Sequence, residues 1–334
     1  MAVARDATNN DDALADDLPI NNPHHWGYGL HPDTDEIPPA NWSQVSADSA
    51  ACKFANQSPI SINDTNALED DALVQLGFSN YDQPAQADRW LIYNNGHTVQ
   101  INATFDKKPT LTIKSGSQSN DYEFLQMHFH WGADDSRGSE HIINGEQFPL
   151  ELHLVHTKVK DLQDVDVLMH DPTGLAVLGV MFRVGTPAQL AALPAEYLKE
   201  LDEVIQLVKL AKEKLVMFNA ILPGLHLTGL LAQLDASPSY YRYSGSLTTP
   251  PCAEVVVWSV LKDPILISDE QLAIFRSLEG DDGKLIDSNF RPLQDLNKRQ
   301  ISLFSSGGDK GGDTEGTVPP TAAYPAPTTA QKKY

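Results

Sequence analysis

Read for alternation of apolar and polar positions, the middle of the chain breaks into short runs of period two. RWLIYNN (89–95), TVQINATF (98–105), TLTIKS (110–115), YEFLQMHFHWG (122–132), PLELHLVHTKV (149–159), GLAVLGVMFRV (174–184) and AEVVVWSVL (253–261) are rich in β-branched and aromatic residues. They are set apart by Gly, Asn, Asp or Pro. Such runs predict strands. Two segments keep a helical spacing instead. Residues 195–216 follow Pro194, which suits a helix start, and place Leu198, Leu201, Val204, Ile205, Val208 and Leu215 near one face. Residues 268–279 carry Ser268 and Gln271 in a capping-box spacing. The pattern predicts a mainly β (α+β) class with peripheral helices. It runs as one stretch without an internal linker, between an acidic head at 1–22, expected to be disordered, and a Gly/Pro/Ser/Thr-rich tail at 306–334, expected to be flexible.

One strand breaks the rule that a buried face is apolar. In QMHFHWG, alternate side chains share a face, so Met127, Phe129 and Trp131 read as core, and Gln126, His128 and His130 face together elsewhere. Three polar groups aimed at one place need a partner. A catalytic zinc takes three protein ligands, and two imidazoles already share this face. The run PLELHLVH offers a third. His153 and His156 are three apart and point oppositely in a strand, so only one can join. His153 shares its face with Glu151 and Val155, and a metal-bound imidazole gives its other N–H to such a carboxylate. Gln126 suits the same service for His128. His156 reads as core or surface, and His24, His25, His31, His170 and His226 have no comparable context.

Composition narrows the function classes. The 334-residue chain carries 45 acids against 24 Lys and Arg, a net charge of −21, which argues against nucleic acid as a partner, because phosphate binding needs a basic face. The acidic surface favours solubility and resembles that of proteins working in high salt. No apolar run approaches a membrane helix. MAVARDATNN shows no signal-peptide core, and the polar C-terminus argues against a lipid-anchor signal. The two cysteines are Cys52 and Cys252; a bridge would close a loop of about 200 residues, stabilising by roughly 5 kcal/mol in the chain-entropy account. N-x-S/T sequons stand at Asn41, Asn56, Asn63 and Asn102. Asn56 and Asn102 fall in strand-like text, which leaves Asn41 and Asn63 as the better acceptors.

QMHFHWG (126–132), GSEH (138–141), ELHLVH (151–156), GLAVLG (174–179) and SLTTPPC (246–252), in that order, resemble the α-class carbonic anhydrases. HWGYG (25–29), NQSPI (56–60), NNGH (94–97) and NFRP (289–292) extend the resemblance, which covers nearly all of a domain at 23–305. It implies a single domain around a large central, mostly antiparallel twisted sheet, with a zinc site in a conical cleft. The implied activity is reversible hydration of carbon dioxide to bicarbonate and a proton through zinc-bound hydroxide. The match makes His128, His130 and His153 the ligands of one Zn2+ per chain. Gln126, Glu151 and the backbone carbonyl of Asn289 orient them.

Thr248 matches the residue that orients the hydroxide, and Glu140 the carboxylate taking the Thr248 proton. Thr249 matches a neighbouring residue that contacts bicarbonate. Val155, Leu175, Val177, Leu247, Val256 and Trp258 match the apolar wall for carbon dioxide. His97 matches the proton shuttle, with Tyr28, Asn95 and Gln100 holding its water chain; Gln100 stands where asparagine is common in the family. The resemblance also implies a Cys52–Cys252 disulfide, a secreted, periplasmic-space or organelle-luminal location, and inhibition by anions and sulfonamides. No nucleic-acid partner and no membrane insertion are expected. The segment from Thr186 to His226 is longer than in compact members. The alternative is a carbonic anhydrase-like binding or surface protein without activity, which the retained ligand set disfavours.

Overall fold

The structure, a computed structural model, describes residues 26–29, 36–83, 90–115, 117–159, 165–212, 217–220, 226–234, 236–280 and 283–306. The predicted disordered head and flexible tail lie outside these residues, apart from Ser306, as do His24, His25 and His31. Among the described residues thirteen strands join in one sheet. Its centre is β1 (Val99–Ala103), β2 (Gln118–Trp131), β3 (Leu150–Lys158), β4 (Leu175–Val184) and β5 (Val256–Leu261), side by side in that order. β1 to β4 pair antiparallel, and β5 joins β4 in parallel. Trp90–Asn94 and Met217–Ala220 extend the β1 side; Tyr240–Gly245, Ile301–Phe304 and Ala67–Glu69 extend the β5 side. The sheet is mixed, antiparallel at most of its pairings.

The period-two pattern distributes side chains over two cores. Met127, Phe129, Leu152, Leu154 and Leu178 enter the larger one. The helix α1 (Ala195–Leu210) covers it with Tyr197, Leu201, Val204, Ile205 and Val208. Val155, Val177, Met181 and Trp258 enter a smaller core on the other side. β4 is buried on both faces along its first eight residues, which is why GLAVLGVMF reads as continuous apolar text rather than alternation.

α1 begins after Pro194 as the sequence predicts but ends at Leu210, short of 216. The Ala211 N–H turns back to Val208 O at 3.0 Å, tightening the last turn. Residues 213–216 lie outside the described part. The helix α2 (Asp269–Phe275) has the capping box, with Ser268 and Gln271 bonded reciprocally. Tyr240–Gly245, Ile301–Phe304 and the three-residue strands escape sequence reading. They are short, and pairing with neighbours makes them strands rather than their own periodicity.

Register builds the site. Gln100 pairs with His128, His128 with His153, and His153 with Gly179. Two residues along, His130 pairs with Glu151; in the other direction Gln126, Val155, Val177 and Trp258 line up across four strands. A register shift between Val155 and His156 ends this face. His156 is fully buried on the other side, hydrogen-bonded to Tyr81 at 2.5 Å. It is a core histidine, the first of the two alternatives its sequence context allowed.

Candidate metal centre

The His128, His130 and His153 rings converge from β2 and β3, with one ligand-capable atom from each lying within 4.8 Å of the others. Each imidazole has one nitrogen already engaged. His128 Nδ1 lies 2.9 Å from Gln126 Oε1, His130 Nδ1 lies 2.7 Å from the Asn289 carbonyl oxygen, and His153 Nε2 lies 2.7 Å from Glu151 Oε1. Those acceptors require an N–H, so the protons sit on these nitrogens and the opposite ones carry lone pairs. His153 Nδ1 and His128 Nε2 then face each other at 3.2 Å. His130 Nε2 is buried with no hydrogen-bond partner.

Two lone pairs in opposition and a third orphaned are costly without a cation between them. Burial and the neighbouring imidazoles hold all three rings neutral: His130 falls to about 3, His128 well below the usual histidine value, and His153 below it. A neutral-imidazole triad with convergent lone pairs suits zinc.

Glu151 is buried, which opposes its charge, yet His141 and His153 pull it well below the carboxylate range. Its Oε2 accepts the Glu140 and His141 backbone N–H groups at 2.8 and 2.9 Å. Its Oε1 also meets His141 Nδ1 at 2.7 Å. His141 Nε2 continues to Tyr243 OH at 2.7 Å, and Tyr243 OH to Ser58 Oγ at 2.9 Å. Ser58 Oγ accepts the Ser246 N–H at 3.1 Å. This buried chain ties β3 to the loop carrying Thr248. Sequence reading assigned His141, Tyr243 and Ser58 no role; the available signal was His141 itself, beside Glu140 in GSEH. That loop packs closely: a Cβ on Gly138 would lie 2.1 Å from Pro149 O.

Glu140 Oε2 stands 3.5 Å from His130 Nε2. Burial and the Glu151 charge push Glu140 well above the carboxylate range, against hydrogen bonding from Thr248 and the Arg291 backbone N–H, the latter at 2.9 Å. Thr248 is buried and Thr249 half-buried. Val155, Leu175, Val177, Val256 and Trp258 are buried together in the smaller core, with Leu247 packed against it. They form one apolar cluster beside the triad, since Val155 lies on β3 two residues from His153 and Trp258 packs on the His153 ring at 4.8 Å.

Of the residues predicted for the proton path, Gln100 lies on β1 opposite His128, and Asn95 sits in the turn before β1 together with His97. The half-buried His97 ring stacks on Trp26 at 3.7 Å, and the His97 backbone carbonyl accepts from Asn289 Nδ2 at 3.0 Å. Asn95 spends its side-chain oxygen on the His97 and Thr98 N–H groups of the turn. Gln100 Nε2 donates to Asn102 Oδ1 at 2.9 Å. Tyr28 packs edge-on to Trp26 and Trp42, its hydroxyl pushed up by burial and by Glu140. Cys52 and Cys252 form a disulfide with Cα atoms 4.9 Å apart. Cys252 closes the loop after Thr248 in a left-handed conformation, φ 59°, its N–H bonded to Thr249 O at 2.8 Å.

Fold and cluster together define a class: an enzyme scaffold with a metal-competent histidine triad on the face of a large twisted sheet. The sequence profile of the eukaryotic-type carbonic anhydrases matches residues 38–305. A Caenorhabditis elegans protein named "Putative carbonic anhydrase 3" is 33% identical over 278 residues, covering 83% of this chain and 96% of that one. The chain belongs to the carbonic anhydrase family, whose members are zinc-dependent and hydrate carbon dioxide, and it is an enzyme of that family.

Proposed function

We propose that His128, His130 and His153 hold one zinc ion and that the chain converts carbon dioxide reversibly to bicarbonate and a proton in the domain at 23–305. The observation that carries this reading is the triad itself: three imidazoles, each with its far nitrogen fixed by a separate acceptor and its near nitrogen left for a metal. Zinc supplies there an acidified water that is nucleophilic near neutral pH, an effect for which carbonic anhydrase is itself the type case.

The chain's own groups do the rest. Gln126, Glu151 and the Asn289 carbonyl hold the rings in one tautomer. Thr248 has a single hydroxyl proton. Glu140, as a carboxylate, can only accept, so it draws that proton and leaves the Thr248 oxygen as an acceptor that orients the nucleophile. A nearby divalent cation favours the charged form of Glu140 against its burial. Val155, Leu175, Val177, Leu247, Val256 and Trp258 give carbon dioxide an apolar wall where water competes poorly. Thr249 contacts bicarbonate. His97 takes the released proton to solvent by way of water held by Tyr28, Asn95 and Gln100, and an imidazole suits that task near neutral pH. Anions and sulfonamides inhibit by occupying the metal. The disulfide supports an oxidising compartment, and we place the protein outside the cell, in a periplasmic space or in an organelle lumen. No helix among the described residues is long and apolar enough to cross a membrane.

The test is stopped-flow hydration of carbon dioxide on purified protein, before and after chelation and zinc re-addition. Activity should vanish with the metal and return with it, at one zinc per chain. Full zinc loading without hydration would turn the reading to a binding protein on this scaffold.

A further inference from the structure

We propose that Asn63 is an N-glycosylation site, and that of the four sequons it alone presents its whole Asn–Xaa–Thr motif on the folded surface. Residues 63–66 are all exposed, in the turn between the strands Ser61–Ile62 and Ala67–Glu69. Asn63 Oδ1 accepts the Thr65 N–H at 3.1 Å and the Thr65 hydroxyl at 3.0 Å. Among the described residues Asn63 Nδ2, the atom a glycan would take, has no hydrogen-bond partner. The middle residue is tethered: Asp64 Oδ1 accepts from Lys262 Nζ at 2.9 Å and from Tyr241 OH at 2.5 Å, and Asp64 Oδ2 accepts from Asn144 Nδ2 at 3.1 Å. With Asp64 bound to these neighbours and the Asn63 and Thr65 side chains bound only within the turn, a sugar on Nδ2 displaces no contact.

The other three sequons are compromised by the fold. Asn56 lies in a bend, not in the strand its sequence suggests; its Nδ2 donates to Glu254 Oε2 at 3.2 Å, and the sequon hydroxyl of Ser58 is fully buried in the chain that reaches Tyr243. Asn102 is half-buried on β1, opposite Gln126, with its oxygen occupied by Gln100. Asn41 is exposed, but Trp42 is buried at 0% exposure and Ser43 Oγ is buried without a partner.

In the reaction Nδ2 attacks the anomeric carbon of a lipid-diphosphate-linked oligosaccharide. A C–N bond forms, the C–O bond to the diphosphate breaks with its electron pair leaving on the lipid diphosphate, and the amide proton passes to base. The Cys52–Cys252 bond fits passage through an oxidising secretory compartment, where such donors act. Modification at Asn63 is independent of the catalysis proposed above.

The experiment sends the full chain through the secretory pathway of a yeast behind an appended leader, and maps peptides by mass before and after peptide-N-glycosidase. The Asn63 peptide should carry glycan, and release should leave an aspartate in place of that asparagine, read as its mass increment. Asn63→Gln and Thr65→Val should lose the enzyme-sensitive mobility shift, while Thr65→Ser, which keeps a hydroxyl and the sequon, should retain it. A cooperative thermal transition in each variant excludes loss by misfolding. Secreted, folded protein with an unmodified Asn63 peptide, or with glycan only at Asn41, Asn56 or Asn102, overturns the proposal.

Discussion

Thr248 has one proton and two oxygen lone pairs, so which way its hydroxyl points is decided by its neighbours. Glu140 lies on the far side of that choice, its Oε1 fixed by the Arg291 N–H. Replacing Thr248 by valine keeps the volume but removes the hydroxyl oxygen that we propose orients the nucleophile. Misorientation of a reacting group costs on the order of 10²-fold in rate. We expect kcat/KM for carbon dioxide hydration to fall by about 10²-fold in Thr248→Val with the metal content unchanged, and stopped-flow assays alongside metal analysis will check this. Equal activity would remove Thr248 from the mechanism. At this scale the sequence was informative: Gln126 and His128, and likewise Glu151 and His153, stand two residues apart, and period two alone puts each pair on one face. Asn289 was reachable only through family resemblance, because its carbonyl comes from 159 residues away.

At the scale of elements, β3 and the GSEH loop act as a unit. Glu151 orients His153 and is itself held by two backbone N–H groups and His141. Removing the His141 ring nitrogens leaves Glu151 one donor short and Tyr243 without its ring partner, freeing the carboxylate to rotate. Groups outside the ligand set typically change metal affinity by about 10–100-fold. We expect His141→Phe to weaken zinc binding by about that factor in competition with a chelating dye, more than it changes activity once zinc is saturating. Unchanged affinity would mean the backbone N–H groups suffice. This connection was not legible in the sequence: Glu151 and His141 are ten residues apart, and Tyr243 and Ser58 join only when Tyr240–Gly245 pairs beside β5. Strands of that length owe their state to their neighbours.

On the scale of the molecule, the net charge of −21 sets a self-repulsion that the fold must overcome. Salt at about 1 M shortens the screening length to about 3 Å and removes most of it. The melting temperature should therefore rise between about 0.01 and 1 M sodium chloride, and hydration activity should persist in molar salt. Differential scanning calorimetry with parallel activity assays tests both. Activity collapsing at moderate salt while the fold persists would show that anions compete at the metal more than they relieve repulsion.

The sequence by itself determined the β-dominated class, the two helices, the capping box at Ser268, and the shared face of Gln126, His128 and His130. Each follows from local periodicity or local hydrogen bonding, which a chain carries in its own spacing. Only tertiary structure decided where α1 stops, that Cys52 and Cys252 meet, that three nitrogens converge with one orphaned, and which sequon is exposed at all three of its residues. Those depend on strand register and on contacts between segments up to 200 residues apart, whose closure is fixed by packing rather than by spacing.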